Sequence, residues 1–439
     1  MNFQESVRYL LSLGRELAAP TQASAAKFNL ENITILANRL GHPEQKYPSV
    51  HIAGTNGKGS TAAFLESILR HAGYHTGLYT SPHLERINER MRVDGQEIPD
   101  TSFASVFSRI HKIIEELLAA GTLRAHPTFF ECVTAIAFEY FAESGVEFAI
   151  FETGLGGRLD STNIVTPEVS VITRIDFDHE NFLGHSLPEI AAEKAGIIKP
   201  GVPVVIAEQR EEARKVFLTK AHESHAPVIE IPETFTIDSL QIVEGRARAT
   251  VREVRSEAQF KIAPQLAGRF QLQNALNAFA AIRVLQAAGV RISDSDVENG
   301  ITAAVWPGRI EKIHANPDIY LDGAHNPSAA RELAAFLAEN LPRRKIIMIF
   351  GALRDKAVDE IAGILFPLAA EVIFTEPRTS RSISAAQLAE IAGHHAAHFA
   401  VNPDSANALD AALAQAAPTD VICITGSLYL VGELRRRAM

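Results

Sequence analysis

Residues 49–61 read SVHIAGTNGKGST. Val50, His51 and Ile52 have the character of a buried strand end. Ala53 to Gly59 is a loop with three glycines around Lys58. Ser60 and Thr61 then open an apolar run, Ala62, Ala63, Leu65, Ile68 and Leu69, at helical spacing. Strand, glycine loop and helix in that order suit a phosphate chain. Backbone N–H groups and the positive helix end face the anion, and glycine lets the backbone approach it. Lys58 adds a mobile positive charge, and Ser60 or Thr61 offers a hydroxyl to a magnesium ion. The spacing departs from G-x-x-x-x-G-K-[ST], because Gly54 is only four residues before Lys58 and Gly59 separates Lys58 from Ser60. A plain glycine-rich turn is the alternative; the flanking strand and helix favour phosphate.

Working outward, residues 1–48 read as two helices, the first amphipathic and carrying Glu5, Arg8 and Arg15. His75–Thr80 and Val202–Ala207 are expected strands, and residues 81–99, dense in charge, a long functional loop. Residues 100–120, 129–144 and 187–197 are expected helices, and Phe148–Glu152 and Val169–Thr173 strands. Strands alternating with helices predict a mostly parallel sheet with helices on both faces, and ligands gather at the carboxyl ends of such strands. Gly54, Ser81, Glu152 and Asp178-His179 all follow strands and are expected to converge there. Residues 230–265 suggest a small antiparallel excursion, and 269–285 a helix. Trp306-Pro307-Gly308-Arg309 breaks the pattern and marks a boundary, giving units 1–305 and 306–439. The second alternates again, with strands at 318–321, 345–351, 371–375 and 421–425. The fold class is therefore α/β: a P-loop-type sheet followed by a smaller Rossmann-like domain.

The 439 residues are 46% hydrophobic and 21% charged, which fits a globular chain of two or three domains. A net charge of -10 gives no support to a nucleic-acid surface. Cys132 and Cys423 sit in apolar surroundings, too few for a disulfide framework or a cysteine metal site. The N-terminus lacks the apolar core of a signal peptide, and no uncharged stretch reaches the roughly 18 residues of a membrane span. The expectation is a cytoplasmic monomer without nucleic-acid or membrane partners.

Several residues admit two readings. Glu152, at a strand end, suits magnesium, or serves as a cap or ion-pair residue. His179 is a metal ligand, a base or a hydrogen-bonded loop residue. Lys194, in a helix, reads from spacing as an ordinary solvated lysine. Asn326 and Pro327 are the N-cap and first residue of a helix, which leaves Asp322 and His325 unexplained. Gly426-Ser427 is an anion-binding turn or only a turn.

Longer motifs go further. The glycine loop with its displaced lysine, Thr80-Ser81-Pro82-His83-Leu84, and the run from Thr153 to Asn163 resemble the folylpolyglutamate synthase and dihydrofolate synthase family. So do Glu193-Lys194-Ala195-Gly196-Ile197, Pro307-Gly308-Arg309, the run from Asp322 to Pro327, and Thr425-Gly426-Ser427-Leu428-Tyr429. The resemblance implies an ATP-dependent ligase that activates a carboxylate as an acyl phosphate. It joins L-glutamate to dihydropteroate or to folates, releasing ADP and phosphate. It assigns Gly57, Lys58, Gly59 and Ser60 to the ATP phosphates, and Asn274, Arg309 and Asp322 to the surroundings of the nucleotide, with Asn277 a rival for Asn274. Ser81, Glu152 and His179 match magnesium ligands. Lys194 matches a carbamylated lysine holding a second magnesium. His325 matches a residue near the incoming glutamate. Lys58, Lys194, Asp322 and His325 thus carry the chemistry. Thr128, Phe129, Phe130 and Glu131, with Asp160, Ser161 and Thr162, match stretches that hold a pterin.

Both activities together are the expectation, with a folylpolyglutamate synthase alone as runner-up. A cell-wall amino acid ligase of the same wider group is disfavoured, because only 53 residues precede Gly54. A nucleotide-binding regulator without amide chemistry would need no Asp322/His325 pair.

Overall fold

A computed structural model describes residues 1–14 and 29–438. Its largest sheet has eight strands in the order β4-β3-β2-β5-β1-β6-β7-β8. These are β1 (Ser49–Ala53), β2 (Thr76–Tyr79), β3 (Met91–Val93), β4 (Gln96–Glu97), β5 (Phe148–Glu152), β6 (Val169–Ile172), β7 (Val204–Ile206) and β8 (Val228–Glu230). β1 lies between β5 and β6, parallel to both, with Ile52 opposite Glu152 and Val171. That register brings the carboxyl ends of the three strands level.

Side chains alternate across this sheet, as strand geometry requires. Val50, Ile52, Phe148 and Ile150 face one core with helices Lys58–His71 and Phe270–Ala287. Ala149 and Phe151 face another with helices Asp100–Ala119 and Phe129–Ser144. The last of these is fixed at both ends. Thr128 and Glu131 form a reciprocal cap, and Gly145 ends the helix at φ 68°.

A three-stranded antiparallel sheet, β9 (Phe235–Val243), β10 (Arg246–Glu253) and β11 (Gln259–Ile262), covers helix Phe270–Ala287 through Ala247, Val251 and Ile262. The third sheet contains β12 (Glu311–His314), β13 (Asp318–Leu321), β14 (Ile346–Phe350), β15 (Glu371–Glu376), β16 (Phe399–Asp404) and β17 (Val421–Thr425). Its order is β12-β13-β17-β14-β15-β16, parallel apart from β12. It has a core on each face. Leu84, from the segment after β2, packs into the second of these cores, and Glu85 pairs with Arg435 and Arg436.

Residues 81–99 depart from the expected loop. They hold a turn of 3-10 helix at Ile87–Arg90 and the antiparallel pair β3/β4. These strands extend an exposed edge and bury only Met91, so they leave almost no periodic signal. Helices Glu211–Glu223 and Asp294–Ala303 and edge strands β8, β12 and β16 also went unforeseen. The first helix runs from Phe3 to Ser12; its expected continuation through Arg15 lies outside the described residues. Cys132 and Cys423 are buried and unpaired. No helix among the described residues is long and apolar enough to cross a membrane.

Candidate functional site

The glycine loop is built against two neighbours. Gly57, at φ 88°, opens helix Lys58–His71, and a Cβ there would overlap the Asn274 side chain. A Cβ at Gly59 would lie 2.8 Å from the Trp306 indole nitrogen. Asn274, rather than Asn277, therefore faces the loop. The Lys58 side chain curls back, with Nζ donating to the carbonyls of Gly54 (3.0 Å) and Thr55 (3.1 Å). Lys194 Nζ donates to the same Gly54 oxygen at 2.8 Å. Lys194 is thus no solvated lysine. It is 4% exposed, on the face of its helix that also buries Ile190 and Ala191. Burial, then the nearby Lys58 charge, pushes its amine down to about 7.

Ser81 and Glu152 meet: the Ser81 N–H donates to Glu152 Oε2 at 3.2 Å. Burial raises the Glu152 carboxyl, against the pull of Lys58. His179 adopts a left-handed conformation, φ 52°, and its buried Nδ1 has no hydrogen-bond partner among the described residues. Burial holds the imidazole neutral, its pKa down to about 3. A hydroxyl, a carboxylate and a neutral imidazole are donor types that suit a divalent cation.

A cavity of about 270 Å³ runs alongside, with Ser81 and His179 in its wall. One end is formed by Thr128, Phe129, Phe130, Glu131, Asp160 and Ser161. Gly154 leaves room for the Phe130 ring, since a Cβ there would come within 2.6 Å of it. Burial raises the Glu131 carboxyl; Thr128 N–H donates to its Oε2 at 2.7 Å. Asp160 is committed to the chain. It accepts from the N–H groups of Gly154 (2.8 Å), Leu155 (2.9 Å) and Thr162 (3.0 Å), and so shapes the glycine turn. Thr162 is buried outside the cavity wall and bonds to His51 Nε2 at 2.8 Å. These two act on the pocket through its backbone.

The other end of the cavity comes from the third sheet: His325, Lys356, Arg381 and Ser427. Asn326 caps helix Pro327–Asn340, as its position predicts. Asp322 accepts from the N–H groups of Ile310 (2.9 Å) and Ala324 (2.8 Å), fixing the turn that presents His325, and the Arg309 charge lies close to it. Asp178 receives Lys356 Nζ at 2.7 Å and Asn326 Nδ2 at 3.1 Å. Lys356, Asp355 and Arg381 escaped the sequence reading. Lys356 and Asp355 lie in the turn between β14 and helix Val358–Leu365, so their place after a strand was the available signal.

Phosphate loop, cation-type donor set and two-ended cavity together describe a nucleotide-dependent ligase cleft. Residues 52–282 match the Mur ligase middle domain, and residues 308–428 the Mur ligase glutamate ligase domain. The dihydrofolate synthase/folylpolyglutamate synthase of Bacillus subtilis is 37% identical over 92% of this chain and 93% of its own length. The crystal structures of Mycobacterium tuberculosis folylpolyglutamate synthase complexed with ADP and AMPPCP include a chain with TM-score 0.87 and 30% identity, covering 95% of this chain and 97% of that one. E. coli FolC in complex with DHPP and ADP has TM-score 0.83 and 30% identity, over 100% of this chain and 97% of that one. The chain belongs to the Mur ligase family, within its dihydrofolate synthase/folylpolyglutamate synthase branch.

Proposed function

We propose that this chain is an ATP-dependent ligase adding L-glutamate to dihydropteroate and to folate (poly)glutamates. The observation that carries this reading is the shared cavity, walled by aromatic and carboxylate side chains of the first unit and by basic side chains from turns of the third sheet. Phe129 or Phe130 packs on the pterin ring, and Glu131 accepts from its donor edge. Residues 1–305 hold the ATP phosphates and the pterin; residues 306–439 hold the incoming glutamate and bring Arg309 and Asp322 to the nucleotide.

The substrate carboxylate attacks the γ-phosphorus of ATP, ADP leaves, and an acyl phosphate forms. The glutamate amine then attacks the acyl carbon, expels phosphate and gives up a proton. Gly57, Gly59 and Ser60 present backbone N–H groups to the phosphates, and Asn274 and Arg309 flank the nucleotide. Lys58 leaves the Gly54 carbonyl for the transferred phosphoryl group and offsets its growing charge. His325 lies where the second substrate enters. Ser81, Glu152 and His179 would hold magnesium, which supplies charge neutralisation at the phosphates. Lys194 as a carbamate would hold a second ion; its neutral amine fraction suits reaction with carbon dioxide, and the carbamate retains an N–H for Gly54. The chain is taken to act as a monomer, and buried free thiols fit a reducing cytoplasm.

The test supplies ATP, magnesium, glutamate and either dihydropteroate or tetrahydrofolate, and follows ADP. Glutamate-dependent ADP with both acceptors is expected. Release with tetrahydrofolate alone reduces the reading to folylpolyglutamate synthase, and release with neither ends it.

A further inference from the structure

The buried carboxylate of Asp178, at the carboxyl end of the first sheet, is bound mainly by the other half of the molecule. Lys356 Nζ reaches Oδ1 at 2.7 Å, Asn326 Nδ2 reaches Oδ2 at 3.1 Å, and His325 Nε2 stands 3.5 Å from Oδ2. All three come from turns after strands of the third sheet. Lys356 is itself buried, its side chain 5% exposed, with Asp355 3.6 Å away on its other side. Asp355 is in turn held by Arg381 at 2.7 Å and stands 3.8 Å from His179 Nδ1. Asn326 is a second bridge. Its amide exchanges two hydrogen bonds with Asn56 of the glycine loop, at 3.0 and 3.2 Å.

A buried ammonium facing a buried carboxylate is stable only while both are in place, since separation leaves each charge desolvated and unpaired. Drawing the third sheet away from the first separates this pair and removes the Asn326 bridge with it. The pair is joined here, and opening it would need water at both charges.

We propose that Lys356 is a positioning residue of the ligase reaction: by pairing with Asp178 it locks the second unit over the glycine loop and fixes the backbone that carries His179. The His179 N–H donates to Asp178 Oδ1 at 2.9 Å, so the oxygen that Lys356 grips also orients the His179 peptide. Lys356 then acts on turnover more than on nucleotide capture, because its own partners are Asp178 and Asp355, while the Asn326–Asn56 bonds and the Asn274 and Trp306 side chains that frame the glycine loop do not involve it. This rests on the ligase reading, and the two fail separately: an inactive wild type overturns the ligase reading, whereas unaffected variants of an active wild type overturn this one.

The experiment measures glutamate-dependent ADP release and, separately, ADP binding by calorimetry for wild type, Lys356→Met, Lys356→Arg, Asp178→Asn and the Lys356→Met/Asp178→Asn double variant. Lys356→Met is expected to lower kcat by roughly two orders of magnitude. ADP affinity should change less than about threefold. Lys356→Arg, which keeps the charge, recovers at least about a tenth of the lost rate. In the Asp178→Asn background, Lys356→Met should have little further effect, because the partner is already neutral. Loss of ADP binding together with kcat would mark a general folding defect and overturn the assignment. So would independent, multiplying effects of the two substitutions, or an undiminished kcat in Lys356→Met.

Discussion

At the scale of single residues, burial decides the chemistry more than residue type does. The Lys194 amine, at about 7 instead of 10.5, is substantially neutral near neutral pH. Only the neutral amine reacts with carbon dioxide, so carbamate formation should rise with pH through about 7 and then level off. Carbon-labelled bicarbonate should give a carbamate resonance in wild type and none in Lys194→Arg; equal signals would refute the assignment. His51 has the opposite connection to folding. It is buried beside Thr162, and burial, then the Lys199 charge, lowers its pKa from 6.5 to about 3. Between those values the unfolded chain takes up a proton that the folded chain refuses. Its contribution is therefore complete above pH 6.5 and is lost as pH falls toward 3, at up to about 1.4 kcal/mol per pH unit. Replacing His51 with Gln should flatten the urea-unfolding free energy against pH in that window, relative to wild type. An unchanged slope would contradict the buried neutral imidazole. The sequence placed His51 in a buried strand end without its Thr162 partner, and the environment of Lys194 was not legible in its spacing. A lysine in Glu-Lys-Ala-Gly looks solvated until the helix face that buries Ile190 is known, and spacing alone placed it so.

At the scale of elements, the pocket depends on helix and turn ends. Thr128 and Glu131 cap helix Phe129–Ser144 and also line the cavity. Thr128→Ala should cost about 1 kcal/mol of stability, as lost N-caps do. It also removes the 2.8 Å hydroxyl bond that helps hold the Glu131 carboxylate, leaving only the Thr128 backbone N–H on that oxygen. The Michaelis constant for dihydropteroate should therefore rise, while ATP affinity stays unchanged; a shift in ATP affinity alone would contradict the placement. β1 and the glycine loop were readable because their signals are local: an apolar strand, three glycines and a helical repeat within 21 residues, 49–69. β3 and β4 were not, because strands of three and two residues on an exposed edge need no alternation. Asp160 and Asp322 were recognised as important from their motifs. That both serve by accepting backbone N–H groups is a fact of three-dimensional turn geometry, which letters do not encode.

At the scale of the whole molecule, the two halves meet where a side chain has no room. Gly432 lies in helix Leu428–Ala438, and a Cβ there would overlap the carbonyl oxygen of Leu84 from the segment after β2. Helix propensity and contact now predict opposite signs. Alanine at an exposed helical glycine stabilises by roughly 0.5–1 kcal/mol. Here the obstacle is backbone, which no change of rotamer can move, so overpacking of about 1–3 kcal/mol should prevail. The strain falls on the contact between units, since each has cores of its own. Gly432→Ala should therefore lower ligase activity and the midpoint of thermal unfolding, and Gly432→Val should do so more strongly. The strain also reaches the third-sheet core into which Leu84 packs, while the core on that sheet's other face stays intact. Calorimetry follows both: a single unfolding peak that splits or broadens in the variants fits weakened docking. A raised midpoint in Gly432→Ala would show that helix propensity outweighs the contact and that the halves are not pressed together there.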